Sequence, residues 1–174
     1  MSRKIAIIAT DYFEESELLS PRQALLDAGY TVDVVAPHGG EIKGLDHVDP
    51  GESVPVDKTL DDVNADDYDA VVVPGGVVNA DHLRVEARAQ QFIRSILNAE
   101  KPTAVICHGP WLLVSAGLVN GRTLTSYNTI RDDITNAGGT WVDQAVVQDG
   151  SLITSRNPND LPAFNKTLLA ALQT

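Results

Sequence analysis

Four short runs of apolar, mostly β-branched residues recur along the chain: Ile5–Ala9, Thr31–Ala36, Ala70–Val73 and Thr103–Ile106. Each is nearly free of polar positions, as a strand covered on both faces must be. Between the first two, Glu14–Ala28 carries Leu18, Leu19, Leu25 and Leu26 at helical spacing, with Gly29 placed to stop the helix. Pro21 lies inside this segment and predicts a kink or a delayed start, because it removes a backbone donor. Glu86–Ala99 returns to helical spacing, with Ala89, Phe92, Ile93, Ile96 and Leu97 forming a stripe that can cover a sheet. Gly109–Ala116 reads as a short apolar helix with Pro110 in its first turn, where a missing N–H costs little. A last helix is predicted over Leu161–Leu172, with Asn159 or Asp160 as its N-cap. His38–Asn64 is irregular, and its Gly-Gly, Asp-Pro-Gly and Val-Pro signals predict short hairpin strands. Further strands are expected at Thr123–Thr125, Trp141–Val142, Ala145–Val147 and Leu152–Thr154, with Asp149-Gly150 turning between the last two. Strands alternating with helices predict an α/β protein, a mostly parallel sheet with helices on both faces and small antiparallel hairpins.

Composition narrows the partners. With 174 residues, 43% of them apolar, and no repeat or linker, one domain over residues 1–174 is expected. Thirteen Lys+Arg against 24 Asp+Glu give a net charge of -11, so nucleic acid is an improbable stable partner and anionic membrane surfaces are disfavoured. The chain has neither a signal-peptide core nor a run near the ~18 apolar residues of a membrane helix, which predicts a cytoplasmic location. Its single cysteine, Cys107, has no partner for a disulfide or a thiolate metal site. That thiol is either a small buried hydrophobe or a reactive group.

The segment Ala104-Val105-Ile106-Cys107-His108-Gly109-Pro110 runs a buried strand directly into a helix with Cys at the junction. A tight strand-to-helix turn of this kind lifts a nucleophile above the carboxyl edge of a sheet. The first helical amides and an adjacent His108 imidazolium favour thiolate, so a lowered thiol pKa is expected. The competing reading is a core strand that ends in a buried Cys. In open parallel sheets, sites form outside the carboxyl ends of strands, which directs attention to the other strand-end loops. After the first strand, Thr10-Asp11-Tyr12-Phe13-Glu14-Glu15 offers a carboxyl group that can reach the sulfur; Glu14 is the choice, with Glu15 and Glu17 read as charges at the helix start. After the third strand, Pro74-Gly75-Gly76 can turn a backbone N–H toward the site, and Gly76 with the His108 amide can form an oxyanion hole. Asp81-His82 follows this turn, and Asp81 is the candidate to orient His108, across a subunit interface if necessary. Tyr127 is expected at the rim of the same cleft. His38, His47 and His82 show no metal-ligand spacing, and the glycine pairs match no phosphate-binding motif, so no metal and no cofactor are implied.

Taken together, these segments resemble the PfpI family of intracellular cysteine peptidase-like proteins, within the class I glutamine amidotransferase-like superfamily that includes the Parkinson-disease-associated protein. The resemblance rests on Asp11–Leu18, Asp69–Gly76, Ala104–Pro110, Gly121-Arg122 with Thr125-Ser126-Tyr127, Asp132–Gly138, and Asp149-Gly150 before Thr154-Ser155-Arg156. It implies a flavodoxin-like sheet, Cys107 as nucleophile, His108 as general base, and Glu14 as the carboxyl in contact with the sulfur. By the same resemblance Gly76 and the His108 amide form the oxyanion hole, and a neighbouring subunit's acid, best matched by Asp81, completes a Cys-His-acid triad. Homodimers or larger homo-oligomers, a link to stress response, and peptidase, deglycase or glyoxalase-like action on peptides or glycated carbonyl substrates are implied too.

Three functional readings follow. The first is a cysteine-dependent hydrolase attacking a carbonyl centre. The second is a redox-sensing or chaperone-like stress protein whose lone Cys107 is oxidised, a chemistry that suits a thiol without a resolving partner. The third is an interaction domain with a structural cysteine.

Overall fold

A computed structural model describes all residues 1–174. In chain order the elements are β1 (Lys4–Ile8), β2 (Phe13–Glu14), α1 (Glu15–Asp27), β3 (Thr31–Ala36), β4 (Glu41–Asp46), β5 (Asp49–Pro55) and β6 (Lys58–Thr59). There follow β7 (Ala70–Val73), α2 (Val77–Leu83), α3 (Ala87–Asn98), β8 (Thr103–Ile106), α4 (Pro110–Ser115), β9 (Thr123–Leu124) and α5 (Arg131–Asn136). The chain closes with β10 (Thr140–Trp141), β11 (Val147–Asp149), β12 (Leu152–Ser155) and α6 (Leu161–Leu172).

Seven strands form one sheet in the order β11-β12-β8-β7-β1-β3-β6. All neighbours pair in parallel except β11, which returns on β12 through the turn at Gly150. Alternate side chains of each strand feed opposite layers, as the strand pleat requires. Ile5, Ile7, Val72, Ala104 and Ile106 pack under α1 and α6 with Leu18, Leu25, Phe164 and Leu168, whereas Ala6, Ile8, Val71, Val73 and Val105 meet Phe92, Ile93, Ile96 and Leu112 from α3 and α4. This is the mostly parallel, two-sided α/β sheet that the apolar runs predict, in a flavodoxin-like arrangement. A separate three-stranded sheet, β2-β4-β5, stands beside the carboxyl edge, with β4 and β5 forming an antiparallel hairpin. No helix is long and apolar enough to cross a membrane.

Three local expectations change. Helix α1 runs through Pro21 without a break, and burial of Pro21 beside Leu18 and Leu25 supplies packing against the lost hydrogen bond. The stretch after Gly75-Gly76, where no element is predicted, is a helix, α2. Asp160 occupies the N-cap position of α6, as expected, but makes no side-chain cap, because its carboxylate accepts from Arg156 N, Nε and a terminal guanidinium nitrogen.

Candidate functional site at Cys107

Cys107 follows β8 directly and has φ of 64°, in the left-handed region that non-glycine residues rarely adopt. Both of its backbone groups are tied to neighbouring segments: its N–H donates to Ser155 O at 3.0 Å, and its carbonyl accepts from Tyr127 N at 2.8 Å. The strained turn is thereby held, and the sulfur stands at the floor of a cleft of about 470 Å³. The cysteine is 7% exposed.

The loop after β7 supplies the opposite side. Gly76 has φ of 89°, and a Cβ there would meet Glu14 N and Tyr12 O at 2.8 Å each, so only glycine fits. A Cβ on Gly75 would lie 2.6 Å from the Cys107 Cβ and 2.7 Å from Glu17 Oε1. The buried side chain of Asn79, on α2, clamps this turn: its Nδ2 donates to Pro74 O and Gly75 O at 3.1 and 2.9 Å, and its Oδ1 accepts from Thr10 N at 2.7 Å. Asn79 thus ties the strand-end loops of β1 and β7 together, beside the bonds from Glu14 N to Gly75 O and from Gly75 N to Glu17 Oε1. The backbone N–H groups of Gly76 and His108 both act on the Cys107 thiol and favour its charged form.

The carboxyl group at the sulfur is not the one expected. Glu14 ends β2, and its Oε1 accepts from the backbone N–H of His47 at the β4–β5 turn, at 3.1 Å. Glu17, three residues on, lies in the first turn of α1 on the face that packs against the sheet and is fully buried. Its Oε1 accepts from Gly75 N at 2.9 Å, and its carboxyl is in contact with the Cys107 thiol. Its Oε2 has no hydrogen-bond partner. Burial, opposed by the Gly75 hydrogen bond, pushes the Glu17 pKa up to about 8, and Glu14 adds to the rise. Near neutral pH Glu17 therefore holds its proton.

The expected lowering of the thiol pKa also meets a correction. Burial and the neighbouring Glu17 charge push Cys107 up, while the Gly76 and His108 amides pull in the other direction. The first amides of α4 do not take part, since Pro110 has no N–H and Gly109 N donates to Ile106 O, and desolvation outweighs the Gly76 and His108 amides.

His108 Nδ1 lies 3.3 Å from Cys107 Sγ, within reach for proton exchange. Desolvation lowers its pKa, so the ring is neutral at neutral pH. The imidazole stacks on Tyr127 at 4.8 Å between ring centroids and meets Trp111 edge-on at 5.3 Å. Its Nε2 faces the Thr129 hydroxyl at 3.4 Å rather than a carboxylate. Asp81 is exposed on α2 and lies outside the cleft lining, so one chain alone assembles no Cys-His-acid triad. Tyr127 lines the cleft, as do Tyr12, Leu45, Val48, Val77 and Val78.

Glu14, Asp46 and His47 bring ligand-type atoms within 4.8 Å of one another at the cleft wall. His47 approaches Glu14 with Nδ1 and Asp46 with Nε2, so one ion using a single imidazole nitrogen would require a side chain to turn. Sequence reading missed Asn79 and Glu17. For Asn79 no signal stands out. For Glu17 there was one, since it shares an i, i+4, i+8 stripe with the buried Pro21 and Leu25.

The chain is similar to known proteins over nearly its whole length. General stress protein 18 of Bacillus subtilis is 43% identical over 176 residues, covering 99% of each chain. Protein/nucleic acid deglycase 2 of Escherichia coli is 44% identical over 175 residues, again covering 99% of each. A solved two-domain protein from Anabaena variabilis, with DJ-1/ThiJ/PfpI-like and ferritin-like domains, superposes with a TM-score of 0.94 at 34% identity; the match covers 99% of this chain and 48% of that one. The model of the DJ-1/PfpI family matches residues 3–171. From the strained cysteine at the sheet edge to the near full-length similarity, the conclusion is the same: this chain belongs to the DJ-1/PfpI family.

Proposed function

We propose that the protein is a stress-response thiol protein in which Cys107 is oxidised by peroxide to a sulfinate. One observation carries this reading: the fully buried Glu17 carboxyl and the Cys107 side chain crowd the same face of Gly75, where a Cβ would lie 2.7 Å from Glu17 Oε1 and 2.6 Å from Cys107 Cβ, and burial favours the protonated carboxyl. In the first step the sulfur lone pair attacks a peroxide oxygen, the S–O bond forms, the O–O bond breaks and water leaves. A second equivalent converts the sulfenic acid to the sulfinic acid. The sulfinate oxygens accept hydrogen bonds that a neutral thiol takes poorly, and Glu17 and the Gly76 and His108 amides are the donors at hand. The chain has no second cysteine to divert the sulfenic acid into an internal disulfide. The name of the Bacillus relative, a general stress protein, agrees with the reading.

Intact-mass and peptide mass spectrometry after mild peroxide treatment test it. Cys107 is expected to gain two oxygen atoms at doses that oxidise small thiols, and to stop there. An unmodified Cys107 at those doses overturns the proposal.

A second reading, a cysteine hydrolase or deglycase, is favoured by the 3.3 Å approach of His108 Nδ1 to Sγ and by the Escherichia coli relative's name. Here the thiol would pass its proton to His108 and attack a carbonyl carbon, with the two amides holding the oxyanion. Turnover of a peptide and of a methylglyoxal-modified amine should then vanish in Cys107→Ser. Full activity of that variant on both substrates would exclude the assignment.

A further inference from the structure

The cleft above Cys107 has a one-sided charge. Two carboxylic residues, Glu14 and Glu17, line it, and no lysine or arginine does. Glu17 is fully buried and burial favours its protonated form, which leaves Glu14 as the carboxyl that the cleft wall presents. The Glu14 carboxylate is 11% exposed on the cleft wall, held by the His47 amide. Apolar side chains surround it, with Val48 88%, Val77 53% and Val78 38% exposed. Charges bordered by apolar walls are less screened than charges on an open surface. Arg156, which shares a neighbouring hollow with Tyr127, offers no compensation because Asp143 and Asp160 already hold its guanidinium.

We propose that Glu14 makes this cleft a charge-selective entrance to Cys107, which admits neutral and cationic molecules and holds anionic ones off. This deepens the preceding reading and rests on Cys107 being a reachable thiol. As an oxidant, uncharged hydrogen peroxide passes, whereas anionic peroxides are disfavoured. Among carbonyl substrates, adducts that carry an amine or a guanidinium are preferred over adducts that carry a carboxylate.

The test uses three methanethiosulfonates of different charge: the cationic trimethylammonium-ethyl reagent, the anionic sulfonate-ethyl reagent and the neutral methyl reagent. Each forms a mixed disulfide with Cys107 and releases methanesulfinate, which intact mass reads directly. Rates are measured at pH 7.5, above the ordinary histidine range, and compared with those of 2-mercaptoethanol. The cationic-to-anionic ratio cancels the thiolate fraction; charge on Glu17 would raise the ratio as well, so the change on Glu14→Gln is what reads Glu14. The protein's ratio should exceed that of 2-mercaptoethanol by roughly five- to tenfold, as expected for unit charges a cleft's width apart in a water-like dielectric. Glu14→Gln should bring the ratio close to that of the free thiol while the neutral reagent still reacts. Glu100→Gln, after α3 at the opposite end of the sheet, should leave the ratio unchanged. A wild-type ratio equal to that of the free thiol, or one that survives Glu14→Gln, overturns the charge filter alone. Failure of all three reagents to label Cys107 overturns the filter and the reactive-thiol reading together.

Discussion

At the scale of single residues, Glu17 carries an energetic cost that pH controls. Its carboxyl titrates near 4.5 when solvated and near 8 in the fold, so between those values the folded chain binds a proton that the unfolded chain has released. Stability from this group is therefore greatest below about pH 4.5 and falls as pH rises toward 8. The full penalty is on the order of a few kcal/mol. Glu17→Gln keeps an oxygen for the Gly75 amide and removes the charge. Its stability relative to wild type should rise steadily from pH 5 to pH 8 in urea titrations, and a constant difference would contradict the buried-acid assignment. The same variant removes the negative charge that raises the thiol pKa, so the pH profile of Cys107 alkylation should shift toward lower pH. The confusion of Glu14 with Glu17 belongs to this scale. Asp11, Glu14, Glu15 and Glu17 crowd one short segment, and composition cannot separate them. Helical phase can, because it puts Glu17 and not Glu15 on the buried stripe with Pro21 and Leu25.

Elements with a strong period were legible, and those defined by a single side chain were not. Continuous apolar runs located β1, β3, β7 and β8 to within a residue, since a strand buried on both faces tolerates almost nothing else. The apolar stripe of α3 was equally plain. Helix α2 escaped because its seven residues, Val77–Leu83, are too few to display a period, and because Gly75-Gly76 reads as a turn. That helix exists at the site largely to deliver Asn79. Truncation by Asn79→Ala would leave Thr10 N and Pro74 O without this partner in a buried setting, while Gly75 O would keep its bond from Glu14 N. A loss of about 2–4 kcal/mol in denaturant unfolding is expected. Cys107 labelling should become faster in that variant, because the turn carrying the Gly76 amide is no longer clamped. An unchanged unfolding midpoint would show that Asn79 is not the lock between the two loops.

For the whole molecule, the sheet explains why distant segments of the sequence meet: β1, β7 and β8 are adjacent and parallel, so their carboxyl ends deliver Glu17, Gly76 and Cys107 to one edge. What a single chain does not supply is an acid for His108 Nε2, which faces Thr129 instead. If hydrolytic turnover uses Asp81, that residue must come from a second copy. The hydrolase reading then predicts that Cys107→Ser and Asp81→Asn chains, each inactive alone, regain part of the activity when mixed and allowed to exchange subunits. Mixtures that stay inactive while chromatography shows exchanged oligomers would rule out the shared acid. The floor and the wall of the cleft come from different pieces of architecture. Cys107, His108 and Gly76 are fixed by the seven-stranded sheet, whereas Leu45, His47 and Val48 come from the β4–β5 hairpin, joined through the two-residue strand β2. A mutation in the hairpin can therefore change which molecules arrive without disturbing the atoms that react. Descendants of such a chain can acquire new substrates through a few surface substitutions, and related proteins with the same reactive floor need not share a physiological task.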